Sequence, residues 1–389
     1  MKDLLKQALT AVIYGYLTKW HRLPFWLWRA FRLLPVARGA TGMGCIGFPT
    51  HPVWEITNRC NFRCSHCHTG ESQLKEPTTK EAKEIISQIS KIKEFKMLVI
   101  TGGEPLLRED LPEIILTSKK AGLPVVIATN GSLLTLERAQ ELKKAGVVGI
   151  ALGIDGATSE IHEGLRNTKG SFKSVLRALK ICKQVGIPWQ FNITAMQNNF
   201  SQIPDLLSLA NREKVYIVLM YQLIAVGRGK GIASEVLTPD TVKALAKLII
   251  KLQASNNSII EPVAMPQFWA YLLYLKGLEG LPFSLEKHLF YGCVAGKGLC
   301  YIKPDGEVWS CPFLPVSGGN LFSKPLSEIW ENANLFKLLR DRTNLKGKCG
   351  KCDFVEICGG CRARAFAEAG DFLAEDPACF IKVSPLNLS

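Results

Sequence analysis

Between Pro52 and Ser255 the sequence alternates short β-type runs with amphipathic helical runs, and few folds accept that pattern. Strands are predicted at Pro52–Thr57, Met97–Ile100, Val125–Thr129, Val147–Ile154, Trp189–Ala195 and Val215–Met220. Helices are predicted from Thr79 to about Phe95, Asp110 to Gly122, Thr135 to Gly146, Ser171 to Gly186, Ile203 to Arg212 and Thr238 to Ser255. The start signals are a capping box in Thr78-Thr79-Lys80-Glu81 and a capping carboxylate at Asp110; the stop signals are Gly122, Gly146 and Gly186. Strands that alternate with helices form a parallel sheet with right-handed crossovers. Six such units are too few to close an eight-fold barrel, so the expected fold is α/β, an open partial (β/α)6 barrel. Its chemistry is expected at the carboxyl ends of the strands.

Two motifs stand at such ends. Cys60, Cys64 and Cys67 follow the first strand at C-x3-C-x2-C spacing. A loop this short can turn three sulfurs toward one centre, and soft thiolates select zinc or iron–sulfur clusters. Three ligands leave one metal position open, whereas a structural zinc site would recruit a fourth, for which His66 or His68 is at hand. Disulfides suit neither the clustering of thirteen cysteines nor a chain without a secretory signature. The second motif, Thr101-Gly102-Gly103-Glu104-Pro105, follows the second strand. Its glycines would let a small ligand approach exposed backbone, and Glu104 can accept a hydrogen bond from an ammonium group.

Together these motifs resemble the radical SAM superfamily over roughly Pro49 to Ala225. The resemblance implies a [4Fe–4S] cluster on Cys60, Cys64 and Cys67, with S-adenosylmethionine chelating the fourth iron and lying along Gly102, Gly103 and Glu104. It also implies reductive cleavage of that cofactor to a 5′-deoxyadenosyl radical that abstracts hydrogen from substrate. His66, in the position of a family aromatic residue, would lie by the adenine. Arg166 matches a family arginine near the cofactor carboxylate, and Asn192 is a candidate for ribose contact. Where relatives carry Ser at the end of strand four, this chain has Gly153, which removes a hydroxyl contact.

Beyond Tyr291 the composition shifts: eight of the thirteen cysteines fall there. A Pro304-Asp305-Gly306 turn predicts a hairpin that ends near Cys311. Cys349, Cys352, Cys358 and Cys361 follow as a block, with Gly359-Gly360 inside it, and Cys379 closes the series. Zinc ribbons are the competing reading of this block. It resembles the SPASM extension of radical SAM enzymes, which implies two auxiliary [4Fe–4S] clusters, although Cys358-x2-Cys361 departs from the usual three-residue gap. By that resemblance Cys293, Cys311 and Cys361 serve one cluster and Cys349, Cys352, Cys358 and Cys379 the other, with Cys300 as an additional ligand. Cys45 and Cys182 read as unligated core thiols. The run from Cys358 to Ala365 and the stretch Gly370–Pro377 look most like the SPASM enzymes of haem and haem d1 biosynthesis, which implies a tetrapyrrole substrate.

A net charge of +14 favours an acidic partner: a polycarboxylate substrate, a low-potential donor such as ferredoxin or flavodoxin, or an anionic membrane. No nucleic-acid module accompanies the charge. The first forty residues interleave Lys and Arg with Trp, Phe and Leu, which suits either a helix in a membrane interface or a helical cap packed on the enzyme. No run of eighteen apolar residues occurs, and the cysteine usage suits a reducing, oxygen-poor cytoplasm, with peripheral membrane contact through that segment. The expected division is an N-terminal segment and connector (1–48), a radical SAM core (49–235), a helical linker (236–290) and a SPASM domain (291–389). Two rival functions are a maturase of ribosomally made peptides and a multi-cluster electron-transfer protein. The Gly102-Gly103-Glu104 site, needless for electron transfer alone, argues against the latter.

Overall fold

Parallel strands and covering helices account for most of the barrel. The computed structural model describes residues 12–19, 50–70, 74–275 and 292–381. Seven strands run in chain order: β1 (His51–Glu55), β2 (Leu98–Thr101), β3 (Val125–Thr129), β4 (Val147–Gly153), β5 (Trp189–Ala195), β6 (Ile217–Gln222) and β7 (Ile259–Val263). Each pairs in parallel with the next. The helices between them are α1 (Thr79–Ser90), α2 (Leu111–Lys120), α3 (Leu136–Ala145), α4 (Ser159–Arg166), α5 (Ser171–Val185), α6 (Ile203–Arg212) and α7 (Pro239–Gln253), with α8 (Gln267–Leu275) after β7.

The local signals operate largely as their chemistry requires. Thr78 and Glu81 form the reciprocal capping box, the Thr135 side chain accepts from the Arg138 N–H, and Gly146 and Gly186 end their helices in the left-handed region. Asp110 differs from expectation. It occupies the N-cap position of α2 but makes no capping bond, because Arg108 and Thr79 take its carboxylate. The expected helical linker also needs correction: it contains β7, a seventh parallel strand. Its Glu261-Pro262 pair hides the strand pattern, and Pro262 is tolerated because β7 lies at the sheet edge.

The remaining strands extend the other edge. β8 (Leu299–Ile302) pairs in parallel with β1, and β9 (Glu307–Trp309) and β10 (Ser317–Asn320) follow as antiparallel strands. The sheet order is therefore β10-β9-β8-β1-β2-β3-β4-β5-β6-β7. Gly306 takes a φ of 82° in the β8–β9 turn, as a Pro-Asp-Gly hairpin needs. Helices α9 (Leu326–Asn332) and α10 (Asn334–Arg340), the one-turn helix Gly347–Gly350 that carries Cys349, and α11 (Arg362–Ala369) belong to the cysteine-rich region.

Register separates the two faces of the barrel. Trp54, Ile100, Ile127 and Ile150 share one row, Leu152, Phe191, Val218 and Ile260 form another on the same face, and all are buried in the main apolar core. The opposite, lumen face carries Glu55, Thr101, Ala128, Ala151, Gly153, Asn192, Thr194 and Tyr221. Glu55, Thr101, Asn192 and Thr194 put polar groups at the carboxyl ends of these strands.

Of the basic N-terminal segment, only residues 12–19 are described; the rest, with Cys45, lies outside the described residues. This short helical stretch packs on the barrel. Tyr14 is fully buried, donates its hydroxyl hydrogen to the Ile260 carbonyl at 2.8 Å, and meets Trp269 edge to face at 5.7 Å. Tyr16 faces out, 83% exposed. The packed-cap expectation therefore describes this stretch. Tyr14→Phe is expected to cost about 1–2 kcal/mol by leaving the carbonyl unpaired, a loss read as a lower denaturant midpoint.

Candidate functional site

The loop bearing Cys60, Cys64 and Cys67 has almost no regular structure, so neighbouring segments must satisfy its backbone groups. The Gly103 and Glu104 N–H groups donate to the Thr57 and Arg59 carbonyls at 2.7 and 2.8 Å. Ser65 N–H donates to the Leu165 carbonyl, and the Asn167 side chain donates to the Arg63 carbonyl. Arg228, at the start of the 3-10 helical segment Gly227–Glu235 after β6, donates to the Cys64 carbonyl from its side chain and to the Cys67 carbonyl from its backbone. The loop is held from three sides. Sequence reasoning missed Arg228, whose only local signal is the flanking Gly227 and Gly229.

The two glycines beside Glu104 have a more specific reason than ligand access. A Cβ on Gly102 would stand 2.7 Å from the Thr57 carbonyl oxygen, and one on Gly103 would stand 2.2 Å from that of Arg59. Any side chain there would drive the two loops apart. Glu104 is fully buried: Oε1 accepts from Leu106 N–H and the Thr129 hydroxyl, and Oε2 from Asn130 N–H. Burial raises its pKa, while these three donors and Arg166 oppose the rise. Its expected role as an open acceptor is narrowed, because three of about four lone-pair positions are already committed to the loop.

Three predicted residues converge opposite this loop. Arg166, at the end of α4, lies 2.7 Å from Asp155, and His66 Nε2 lies 3.3 Å from the same carboxylate oxygen. Burial works against ionising Asp155, yet the Arg166 guanidinium holds its carboxyl below the usual range. Burial pushes His66 down to about 4, so its ring is neutral at pH 7. Arg166 Nη1 approaches Cys64 Sγ at 3.9 Å. A Cβ on Gly153 would stand 2.3 Å from Arg166 Nη2, so the guanidinium occupies the space a serine there would fill. Asn192 pairs in register with Gly153 and accepts from Gln190 at 2.8 Å, which places it beside this group on the lumen face. Asp155 was visible in the Ile154-Asp155-Gly156 run, but its role emerges only from the fold.

The C-terminal cysteines fall into two groups. Cys349, Cys352, Cys358 and Cys379 line one cavity, together with Gly359, Gly360 and Asp376. Cys293, Cys311 and Cys361 interact electrostatically with one another. Cys300 joins neither. It is fully buried on the opposite face of β8 from Tyr301, with Arg340 as its charged neighbour, and packs as a core thiol. Cys182 is likewise buried in the core, as expected. Asp376 links the two groups: its carboxylate accepts from Cys361 N–H at 2.8 Å, and its own N–H points at Cys349 Sγ at 3.4 Å. Arg364 grips that carboxylate at 2.7 and 3.0 Å and donates to Gln222 at the end of β6. Burial opposes ionisation of Asp376, but Arg364 and the backbone donors keep it ionised. This buried ion pair fastens the cysteine-rich region to the barrel; sequence reasoning assigned neither residue a role.

The donor sets favour iron–sulfur clusters over single ions. Zinc draws its sulfurs to about 2.3 Å from one point. The four cysteines instead surround a cavity, as ligands of a larger inorganic core must. Cys60 lies within electrostatic reach of Cys64 and Cys67.

Residues 54–210 match the family model of the radical SAM superfamily, and residues 293–353 match that of an iron–sulfur cluster-binding (SPASM) domain. The chain is 35% identical to an AdoMet-dependent heme synthase of Methanosarcina barkeri (strain Fusaro / DSM 804), over 85% of this chain and 96% of that protein. It is 30% identical to an Fe-coproporphyrin III synthase of the same organism, over 85% and 87% of the two chains. Among solved structures it resembles Streptococcus suis SuiB bound to its precursor peptide SuiA, with a TM-score of 0.69 at 20% identity over 86% and 76% of the chains; that likeness concerns the fold.

Gly103→Ala should force the Thr101–Glu104 loop off the Thr57–Cys60 segment. The expected result, on anaerobic reconstitution, is loss of the iron held by the Cys60 loop with the C-terminal iron retained. Metal analysis checks this, and unchanged iron content would show that the two loops can separate without consequence.

Proposed function

Because the chain belongs to the radical SAM superfamily and carries a SPASM iron–sulfur domain, we propose that Cys60, Cys64 and Cys67 hold the cluster that binds S-adenosylmethionine and that the substrate is a carboxylated tetrapyrrole. The protein is a radical SAM enzyme, and its cofactors are S-adenosylmethionine, one [4Fe–4S] cluster that binds it and auxiliary [4Fe–4S] clusters. When bound, the cluster and S-adenosylmethionine supply a 5′-deoxyadenosyl radical that abstracts hydrogen from substrate.

The chain's own residues bind, orient and shield. Gly102, Gly103 and Glu104 give the methionine end of the cofactor a rigid backbone edge. Arg166, braced by Asp155 beside Cys64, supplies the cation for its carboxylate and takes over from the serine replaced by Gly153. Asn192 faces the ribose, and His66 lies by the adenine. Cys293, Cys311 and Cys361 hold one auxiliary cluster, and Cys349, Cys352, Cys358 and Cys379 the other. Water is kept out by the cysteine-rich region, which Arg364 and Asp376 fasten over the barrel end. The core extends from residue 49 through β7, and the SPASM domain begins near residue 291.

The observation that carries the substrate reading is identity of 35% across 96% of a heme synthase. The net charge of +14 suits a polycarboxylate. The same charge suits an acidic low-potential electron donor such as ferredoxin or flavodoxin, and contact of the basic N-terminal segment with an anionic membrane in the cytoplasm. No helix among the described residues is long and apolar enough to cross a membrane.

Reconstituted protein is expected to hold about twelve irons per chain, and the Cys60, Cys64 and Cys67 triple Ala variant about eight, without 5′-deoxyadenosine formation. Iron coproporphyrin III should bind the full-length enzyme, seen as a shift of its absorbance band, and stimulate 5′-deoxyadenosine release. Binding of a small precursor peptide in place of the porphyrin would overturn the tetrapyrrole reading in favour of peptide maturation.

A further inference from the structure

The lumen contains a buried carboxyl that the cofactor assignments leave unused. Glu55, the last residue of β1, is 2% exposed, and its Oε2 accepts the phenol hydrogen of Tyr301 at 2.5 Å. Its Oε1 has no partner among the described residues. Leaving a buried carboxyl oxygen unpaired is costly, and strand pairing asks for nothing polar at this position. Glu55 shares the lumen face with Thr101 and with the Asn192, Thr194 and Tyr221 row.

The wall beside it is aromatic. The Tyr301 ring meets His68 at 6.0 Å, His68 meets Phe313 at 5.0 Å, and Phe313 meets Tyr221 of β6 at 6.2 Å. This arc spans the lumen from β8 to β6, with Glu55 next to its β8 end. Tyr301 lies within electrostatic reach of both Cys67 and Cys311, so the arc stands between the Cys60 loop and the C-terminal cysteines. A flat, apolar ring system would lie against such a wall, and a carboxyl group on its edge would reach the strand end.

We propose that Glu55, oriented by Tyr301, is a substrate-binding residue whose free Oε1 pairs with a carboxyl group on the edge of a flat substrate. The assignment rests on the tetrapyrrole reading above. Two carboxyl groups can meet because they share one proton: protonated Glu55 donates from Oε1 to the substrate carboxylate, while Oε2 still accepts from Tyr301. The environment supports that state. Burial pushes the Glu55 carboxyl up to about 7; Tyr301 and Lys303 oppose the rise, and Asp305 and Glu76 reinforce it. Pairing should therefore be strongest below pH 7 and weaken as pH rises through about 7, where Glu55 loses its proton.

The test uses the full-length, cluster-loaded enzyme, titrated with iron coproporphyrin III and with its tetramethyl ester. Wild type should prefer the acid over the ester by about tenfold or more. Glu55→Leu should lose that preference while binding S-adenosylmethionine normally. Glu55→Gln keeps an acceptor for Tyr301 and a donor for the ligand, so it should bind the acid within about threefold of wild type without the pH dependence. An undiminished acid preference in Glu55→Leu overturns the proposal. Weakened S-adenosylmethionine binding in that variant does so too, by reassigning Oε1 to the cofactor's carboxylate. Should Glu55→Leu fail to load its clusters, the pH profile of Glu55→Gln decides, and a wild-type profile there overturns the proposal. If wild type binds neither porphyrin, the tetrapyrrole reading falls and this assignment falls with it.

Discussion

β8 joins the open edge of β1 through the pairs His51–Leu299, Pro52–Cys300, Val53–Tyr301 and Trp54–Ile302, and the cysteine-rich region takes its place from that pairing. Parallel pairing requires a crossover connection, and here strands β2 to β7 lie within it, Glu55 and Tyr301 being 246 residues apart. The register then decides which β8 residues face the lumen. Tyr301 turns toward the Cys60 loop, and Cys300 turns into the core. A slip of one residue would exchange them and remove both the Tyr301 contact and the aromatic arc.

Two buried ion pairs complete the arrangement, each next to a cysteine set. Asp155–Arg166 stands against Cys64, and Asp376–Arg364 joins Cys361 to Cys349 through the Asp376 backbone and carboxylate. Such pairs are weak evidence of stability, since desolvation offsets most of their attraction, but removing one partner is severe. Their placement makes better sense as positioning. Each holds a guanidinium beside sulfurs that must carry negative charge when they bind iron, in a setting too dry for water to do so.

Much of the barrel was legible in the sequence because its signals are local. A capping box spans four residues, a glycine stop needs one, and period-two burial declares a strand within five. That is why β3 and β5 match their predicted bounds and α6 does as well. β7 escaped because a buried glutamate, Glu261, and a proline that only an edge strand tolerates break its pattern. Helix α4 escaped as well: Ser159–Arg166 is short and polar, and Gly164 lies inside it.

The cysteine spacings and the Gly-Gly-Glu run determined, from sequence alone, the chemistry to expect and the strand ends where it would stand. Ligand type and loop length are covalent properties of neighbouring residues. Tertiary structure alone decided that Cys300 is a core thiol, that Gly103 is needed to let two loops touch, and that Arg166 fills the space left by Gly153. It alone placed a free carboxyl oxygen of Glu55 in the lumen. Each of these depends on which face a residue presents to a partner far away in the chain. Strand register and helix packing set that face, and no local pattern encodes it.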